Sequence, residues 1–176
     1  ILGQAMLAAD GSFAGLAPLR DTLAQPGQAT AAGGSLQVAL ATTALVLPLA
    51  YGYAAALSRV ALPGRGLFRL LALLPLLAPS LLPGISLVYL FGHQGLLKSW
   101  FADGSIYGFA GIVLGEAFYT FPHALMILLT ALAVGDARLY EAARTLGAGP
   151  LRRFATITLP ATRYGLVSAA MVVFTL

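Results

Sequence analysis

The chain has 176 residues, of which 59% are hydrophobic and 9% are charged, far below the roughly 25% charged residues of an ordinary globular domain. This composition indicates a membrane protein. The net charge of +4 does not indicate nucleic-acid binding, because the basic residues form no patch with interleaved aromatic side chains. The absence of cysteine from these residues excludes disulfides, thiolate metal sites and cysteine nucleophiles within them.

The beginning of the chain precedes its first long apolar segment. We expect residues 1–33 to be extracytoplasmic and their apolar start, Ile1 to Ala9, to be the end of a preceding span, because no basic leader of a cleavable signal is present. The chain starts without methionine, and its last apolar run reaches Leu176 without a polar flank, so we expect it to be part of a longer polypeptide. Residues 34–176 are predicted to form one transmembrane domain.

Apolar segments long enough to cross a bilayer recur along that domain. A transmembrane helix needs about 20 predominantly apolar residues to cross a hydrocarbon core of about 30 Å. Three complete spans and one truncated span are predicted: Gly34 to Leu57, Leu67 to Phe91, Phe109 to Val134, and a last span that begins near Tyr164. The predicted fold is therefore all-α, a polytopic transmembrane helix bundle.

The distribution of basic residues predicts the orientation of these spans. Lysine and arginine in short loops are retained on the cytoplasmic side of a membrane. Eight of the ten basic residues flank two connections: Arg59, Arg65, Arg69, Arg138, Arg144, Arg152, Arg153 and Arg163. We therefore predict that Ser58 to Gly66 and Gly135 to Arg163 face the cytoplasm, whereas Gly92 to Gly108 faces outward.

Three prolines interrupt the second predicted span at four-residue intervals. Pro75, Pro79 and Pro83 would lie near one helix face and remove three backbone donors. We predict a kink or local unwinding, with the freed carbonyls satisfied by neighbouring helices, side chains or cavity water.

A strip of small residues marks the start of the third predicted span: Gly108, Gly111 and Gly115. Gly111 and Gly115 have the G-x-x-x-G spacing at which two helix backbones can approach closely. The strip therefore predicts helix packing rather than ligand binding.

The third predicted span also carries a polar stripe. Glu116, Tyr119 and His123 are spaced at i, i+3 and i+7, so they project from one helical face. An ionisable group that faces lipid costs at least about 2.5 kcal/mol, so this face is expected to point into the bundle or a water-filled cavity. Either these residues line a translocation pathway, or they hydrogen-bond neighbouring helices. Replacing Glu116 by alanine would abolish transport with normal assembly in the first case and disrupt assembly in the second.

The segment between the third and last spans predicts a helical hairpin. Asp136 can cap the first amides of a helix over Ala137 to Leu146. Gly147 suits the left-handed position after that helix, and Pro150 suits the first turn of a second one. The hairpin offers apolar anchors and a polar rim suited to docking another protein: Leu139, Leu146, Phe154, Glu141, Arg144, Arg152 and Arg153. The alternative is a solvated loop whose arginines only enforce topology.

The hairpin carries a motif with fixed spacing, E-A-A-x3-G-x9-I-x-L-P. Its positions are filled by Glu141, Ala142, Ala143, Gly147, Ile157, Leu159 and Pro160. This motif resembles the signature of the MetI-like permeases, the inner-membrane components of binding-protein-dependent ABC importers. The resemblance implies that residues 34–176 are a permease domain and that residues 135–163 are its cytoplasmic coupling loop, which docks on a separate ATPase.

The resemblance also implies several partners in a bacterial inner membrane. These are ABC ATPase subunits on the cytoplasmic side, a second permease copy or homologue, and an extracytoplasmic solute-binding protein. ATP would be bound by the ATPase, and the permease would need no cofactor. No catalytic or metal site is predicted here, and the only lysine, Lys98, follows Leu97 instead of the glycine of a phosphate-binding loop.

The cargo is predicted from a further resemblance. The run Glu116 to Met126, with Ile106 to Gly108 before it, is similar to the branch that serves phosphonates such as 2-aminoethylphosphonate, close to the ferric iron and thiamine branches. A phosphonate is therefore the expected cargo. Ferric iron, thiamine and polyamine are the alternatives.

Two other classes of membrane protein compete with an ABC permease. An ion-coupled secondary transporter would use Glu116 and His123 as a proton relay and the proline-rich span as a broken helix. A structural protein that transports nothing would tolerate changes at Glu141 or Gly147. Transport in energised inside-out vesicles separates the first two classes, because dependence on an ATPase partner would support the ABC permease and dependence on a proton gradient alone would support the secondary transporter.

Overall fold

Helices joined by turns make up the part of the chain that the structure describes. The computed structural model describes residues 13–60, 63–79, 81–100, 106–135 and 137–176. The elements within these ranges are helices and none is a strand, which confirms the all-α prediction. The chain divides into two compact units, Ile1–Val38 and Ala39–Leu176. Each unit is described by itself.

The described part of the first unit is short. A helix of seven residues, α1 (Ala17–Leu23), precedes the start of a long helix, α2 (Gln28–Arg59). The predicted extracytoplasmic segment, residues 1–33, therefore includes the beginning of α2. The apolar start of that segment, Ile1 to Ala9, lies outside the described residues.

The first predicted span, Gly34 to Leu57, lies within α2 and is extended by the structure at both ends. Gly33 and Gly34 do not end the helix, because the good helix formers around them offset a cost of about 1 kcal/mol per glycine. In the second unit, the buried residues of α2 follow the helical period along one face. They are Thr42, Val46, Ala50, Tyr51, Ala54 and Leu57.

The second predicted span, Leu67 to Phe91, is broken. A helix, α3 (Arg65–Leu73), continues into a 3-10 turn (Leu74–Leu77), and a new helix, α4 (Leu81–Phe91), follows. The helical segments before and after the break are bent by 102°. The predicted kink or local unwinding of this span is confirmed.

The three prolines account for this break. Pro75 lies at the start of the 3-10 turn, where a missing amide hydrogen is tolerated. Ala78, which precedes Pro79, is extended, with φ −85° and ψ 142°, because the ring of a following proline disfavours the helical region. Pro83 is buried in the first turn of α4, where an amide has no partner within the helix.

The third predicted span, Phe109 to Val134, is confirmed as one helix, α5 (Phe109–Ala133). Four helical segments follow it: α6 (Ala137–Thr145), α7 (Pro150–Arg153), a π-helical segment (Phe154–Thr158) and α8 (Leu159–Thr175).

The last predicted span lies in a helix that begins before it. The segments from α7 to α8 form one helical run, Pro150–Thr175, which is long and apolar enough to cross a membrane and which begins well before Tyr164, the predicted start of the span. The arginines in this run make its first part polar, as in a loop, but arginine is compatible with helix formation. Pro160 removes an amide from the run, and the preceding π turns accommodate this loss: the Leu159 amide bonds to the Phe154 carbonyl, five residues earlier.

The core of the second unit is built on the contact between α5 and α8. The two helices approach so closely at Gly165 that a Cβ placed there would lie 2.3 Å from the Cβ of Ala131. Buried side chains of α2, α5 and α8 form one cluster around this contact: Val46, Ala50, Tyr51, Ala54, Ala124, Leu125, Leu128, Leu132, Ala169 and Val173.

Among the described residues of the chain, the glycine strip at the start of α5 makes no close contact between two helix backbones. A Cβ on Gly111 would meet the carbonyl oxygen of Ile106 at 1.8 Å, in the segment that precedes its own helix. At Gly115 the nearest atom is Cδ1 of Leu87 in α4, at an ordinary van der Waals distance of 3.7 Å. The spacing alone did not distinguish a local contact from one between helices.

Candidate functional site

The predicted hairpin is present, and Gly147 sets its turn. Gly147 has a φ of 74°, a left-handed value that glycine adopts without a Cβ clash. Its amide donates to the Arg144 carbonyl at 3.1 Å, and the amide of Ala148 donates to the Ala143 carbonyl at 2.9 Å. These two bonds form a Schellman motif that satisfies carbonyls at the end of α6. The predicted N-cap, Asp136, lies outside the described residues.

The first half of the sequence motif lies on the surface of this hairpin. Glu141 and Ala142 are exposed on α6, Ala143 is half-buried, and Gly147 is exposed at the turn. Because alanine carries only a methyl group, the backbone of a second protein could approach this surface closely. We call the surface formed by Glu141, Ala142 and Ala143 the motif face.

Large apolar side chains surround the motif face. Leu139, Leu146 and Leu151 are 56%, 86% and 81% exposed, so three leucines on a short hairpin face away from the core. An exposed cluster of this kind is typical of a docking surface. Leu139 and Leu146 were predicted as anchors. Phe154, the third predicted anchor, also packs against the helix bundle, because its ring lies edge-on to the ring of Tyr51 in α2 with the centroids 5.8 Å apart.

The second half of the motif lies at the start of the last helical run, not in a loop. Ile157 is half-buried, and Leu159 and Pro160 are exposed. Thr158, the unspecified position between them, is only 2% exposed. This part of the motif therefore places one hydroxyl group inside the bundle.

Polar side chains join the hairpin to two other helices. The hydroxyl of Tyr140 in α6 lies 2.8 Å from Oγ1 of Thr158, and Arg59 at the end of α2 donates to the same Tyr140 oxygen. The Arg59 guanidinium also lies over the Tyr140 ring, 4.2 Å from its centroid. Oγ1 of Thr162 is 2.8 Å from the Thr158 carbonyl oxygen and 2.9 Å from the hydroxyl of Tyr51 in α2. We call these five residues the Tyr140 network.

Sequence reasoning missed the Tyr140 network because the hydrogen bonds that join its helices connect residues far apart in the chain. A partial signal was available. Thr158 and Thr162 stand four residues apart, a spacing that places both hydroxyls on one face of a helix. Tyr140 directly precedes Glu141, but nothing in the sequence identifies its partners.

The polar stripe of α5 is divided by the structure. Glu116 and Tyr119 line a cavity of about 510 Å³ between α4, α5 and the end of α8, and no lysine or arginine of the described ranges lines it. His123 is not among the lining residues. Its Nδ1 donates to the Tyr119 carbonyl at 3.1 Å, and the two rings lie 5.4 Å apart. The structure thus brings two of the three predicted pathway residues to one cavity.

The cavity and the hairpin are separate sites. Glu116 stands seventeen positions before Ala133, the last residue of α5. At a rise of 1.5 Å per residue, that separation is about 26 Å along the helix axis. Any effect of the hairpin on the cavity must therefore pass through movement of helices.

Comparison with known proteins shows which family this arrangement belongs to. Residues 49–176 match the family described as binding-protein-dependent transport system inner membrane component. The chain is 35% identical over 144 residues to the molybdenum transport system permease protein ModB of Escherichia coli (strain K12), a match that covers 80% of this chain and 63% of ModB. It is 33% identical over 156 residues to ModB of Mycobacterium tuberculosis, covering 85% of this chain and 58% of that protein.

A sulfate permease shows a similar likeness. The chain is 34% identical over 137 residues to the sulfate transport system permease protein CysW of Synechocystis sp., covering 75% of this chain and 50% of CysW. The chain therefore spans between about half and three fifths of the length of these curated relatives. Their names do not support the phosphonate prediction.

Proposed function

Because the chain belongs to the family of binding-protein-dependent transport system inner membrane components, we propose that it is the permease subunit of an ATP-driven importer. It is a multi-pass inner-membrane protein of the MetI-like permease type. In the proposed assembly, a separate ATPase binds the ATP and holds the hairpin, while the helices form the translocation pathway. The observation that carries this proposal is the exposed motif face, held at a fixed turn by Gly147.

The chemistry of the hairpin supports a protein partner. Burial of exposed leucines such as Leu146 and Leu151 would supply most of the attraction, at about 25 cal/mol for each Å² of apolar surface removed from water. The charges of Glu141, Arg144 and Arg152 would lie at the rim, where they orient a partner more than they strengthen its binding. The ATPase subunit is the partner that the family description and this surface favour.

A contact within the structure supports the proposed orientation. Arg59 ends α2 and Tyr140 belongs to the hairpin, and their side chains hydrogen-bond. The two arginine-rich segments that were predicted to share the cytoplasmic side therefore meet at one end of the second unit. A second permease copy or homologue and an extracytoplasmic solute-binding protein complete the proposed assembly.

We propose a tetrahedral oxyanion such as molybdate or sulfate as the cargo, in place of a phosphonate. The support is the naming of the relatives as molybdenum and sulfate permeases. The cavity lined by Glu116 and Tyr119 is the proposed pathway wall.

Substitution of Gly147 tests the coupling role of the hairpin. In proteoliposomes that contain the full-length permease, its ATPase and its solute-binding protein, Gly147→Ala should reduce ATP-dependent molybdate or sulfate uptake by about tenfold. The reason is that a Cβ in the left-handed region costs about 1–2 kcal/mol, which displaces the motif face. Uptake of the radiolabelled anion and ATP hydrolysis would both be measured.

Gly149 provides the matched control. It lies in the same turn but has a φ of −65°, and no atom lies within 4 Å of a Cβ added there, so Gly149→Ala should transport normally. Normal uptake by Gly147→Ala would contradict the coupling role. Uptake that follows a proton gradient without the ATPase would contradict the whole proposal and identify a secondary transporter.

A further inference from the structure

We propose that Tyr140 is a positioning residue that transmits movement of the hairpin to α2 and α8 together. This inference rests on the proposed function, because it assumes that an ATPase moves the hairpin. It goes further by naming the side chains through which that movement enters the bundle. They are the Tyr140 network: Arg59, Tyr140, Thr158, Thr162 and Tyr51.

The donors and acceptors of the network can be assigned from its chemistry. A guanidinium only donates, so the Tyr140 oxygen accepts from Arg59 and keeps its own proton for Oγ1 of Thr158. Thr162 donates its single proton to the Thr158 carbonyl oxygen, so it accepts from the Tyr51 hydroxyl. Thr158 is therefore the branch point, since its side chain contacts the hairpin and its carbonyl leads through Thr162 to α2.

Burial makes the inner bonds of the network, those among Thr158, Thr162 and Tyr51, a firm connection, whereas the bond between Tyr140 and Thr158 is partly buried and the bond between Arg59 and Tyr140 is exposed. Thr158 and Thr162 are 2% and 1% exposed, and Tyr51 is 8% exposed. Water cannot readily replace a hydrogen bond at such positions, so breaking one leaves an unsatisfied polar group in a medium of low dielectric constant. When α6 moves, the network is expected to stay formed and to draw α2 and α8 with it.

The contact of α8 with α5 differs in kind. The two helices come close together where Gly165 lies beside Ala131, and the side chains around this contact are apolar. Apolar contacts are not directional, so packed helices of this kind can shift by small amounts without breaking a specific bond. The hydrogen bonds of the Tyr140 network therefore lead us to expect that α2 and α8 follow α6 together when the hairpin moves.

Removal of single hydroxyl groups tests this inference in the complete importer. Tyr140→Phe keeps the ring but loses the bonds to Arg59 and Thr158, and Thr158→Val keeps the branched shape but loses the side-chain hydroxyl. In proteoliposomes we expect each variant to hydrolyse ATP at a rate close to wild type while the number of anions transported per ATP falls about fivefold, the change expected for the loss of one hydrogen bond. The double variant should be no worse than Tyr140→Phe alone, because that variant already lacks the bond that Thr158→Val removes.

Two further variants serve as controls. Thr158→Ser retains the hydroxyl and should restore the transport ratio. Tyr164→Phe also removes a tyrosine hydroxyl, but this group bonds only to the neighbouring Arg163 on the exposed surface of α8, so the ratio should not change. If Tyr140→Phe fails to assemble, the comparison of Thr158→Ser with Thr158→Val still decides the matter.

The possible results separate the two proposals. Wild-type importer that shows no ATP-dependent uptake would overturn the proposed function. Wild-type importer that transports, together with normal ratios in Tyr140→Phe and Thr158→Val, would overturn the role of Tyr140 alone. Equal ratios in Thr158→Ser and Thr158→Val would also overturn it, because the hydroxyl would then be irrelevant.

Discussion

At Gly165, the helices α5 and α8 leave no room for a side chain. An added Cβ would lie 2.3 Å from the Cβ of Ala131, so the helices would have to separate. We expect Gly165→Ala to lower the free energy of unfolding by about 1–3 kcal/mol, as overpacking of a core does. Unfolding in detergent micelles would measure the change. Gly52→Ala in α2, with no atom within 4 Å of the new Cβ, should be neutral or raise stability by up to about 1 kcal/mol, and equal losses in both variants would contradict this explanation.

Single residues were predictable where their effect is local. Gly147 and Pro150 were assigned from backbone preferences alone, and the structure gives them the predicted turn and helix start. Gly111 was misread because its close neighbour, Ile106, belongs to the segment before its helix. Gly165 was missed because nothing in a sequence shows which two helices meet at a lone glycine.

At the scale of elements, the π-helical segment before Pro160 adjusts the angle between the hairpin and α8. Pro160→Ala restores an amide that can bond to the Thr156 carbonyl, and it favours a regular α-helix. Conversion of the π turns to α-helix shifts the hydrogen-bond register by one residue, which would rotate the hairpin by about 100° about the helix axis. We expect thermal stability to be kept or raised while the number of anions transported per ATP falls. Pro48 lies in the middle of α2 with its side chain exposed, so Pro48→Ala should leave that ratio unchanged. A normal ratio in Pro160→Ala would show that the π turns do not set this angle.

Helix boundaries were predictable to different degrees. The ends of α5 agree with prediction almost to the residue, because a glycine precedes it and apolarity is continuous along it. A helix starting at Pro150 and a span starting near Tyr164 were both predicted, but not that they form one helical run, Pro150–Thr175, because hydropathy reports contact with lipid and not backbone conformation. The proline-rich break was predicted from missing donors, but its angle depends on packing that the sequence does not specify.

For the whole molecule, the predicted orientation can be tested by labelling. These residues contain no cysteine, so a single introduced thiol reports its own position. Leu96 and Leu146 are both 86% exposed, in the predicted outer loop and in the hairpin. A membrane-impermeant maleimide should label Leu96→Cys in intact spheroplasts, and should label Leu146→Cys only after permeabilisation. The reverse pattern would overturn the orientation, and labelling of both without permeabilisation would place the two sites on one side.

The chain between the end of α2 and the start of α5 must cross the membrane an odd number of times, and the broken span lies in this part of the chain. The ends of α2 and α5 lie on the side of the hairpin, so α5 must start on the opposite side, and the intervening chain has to traverse the bilayer once. Neither arm of the 102° bend can do this alone, because the arm Arg65–Leu77 reaches about 20 Å and α4, with 11 residues, about 16 Å of a core about 30 Å thick. The traverse is therefore shared between two discontinuous arms. The exposed carbonyls at their joint must find protein or water, and the bend borders a cavity of about 270 Å³ that Phe118 of α5 also lines.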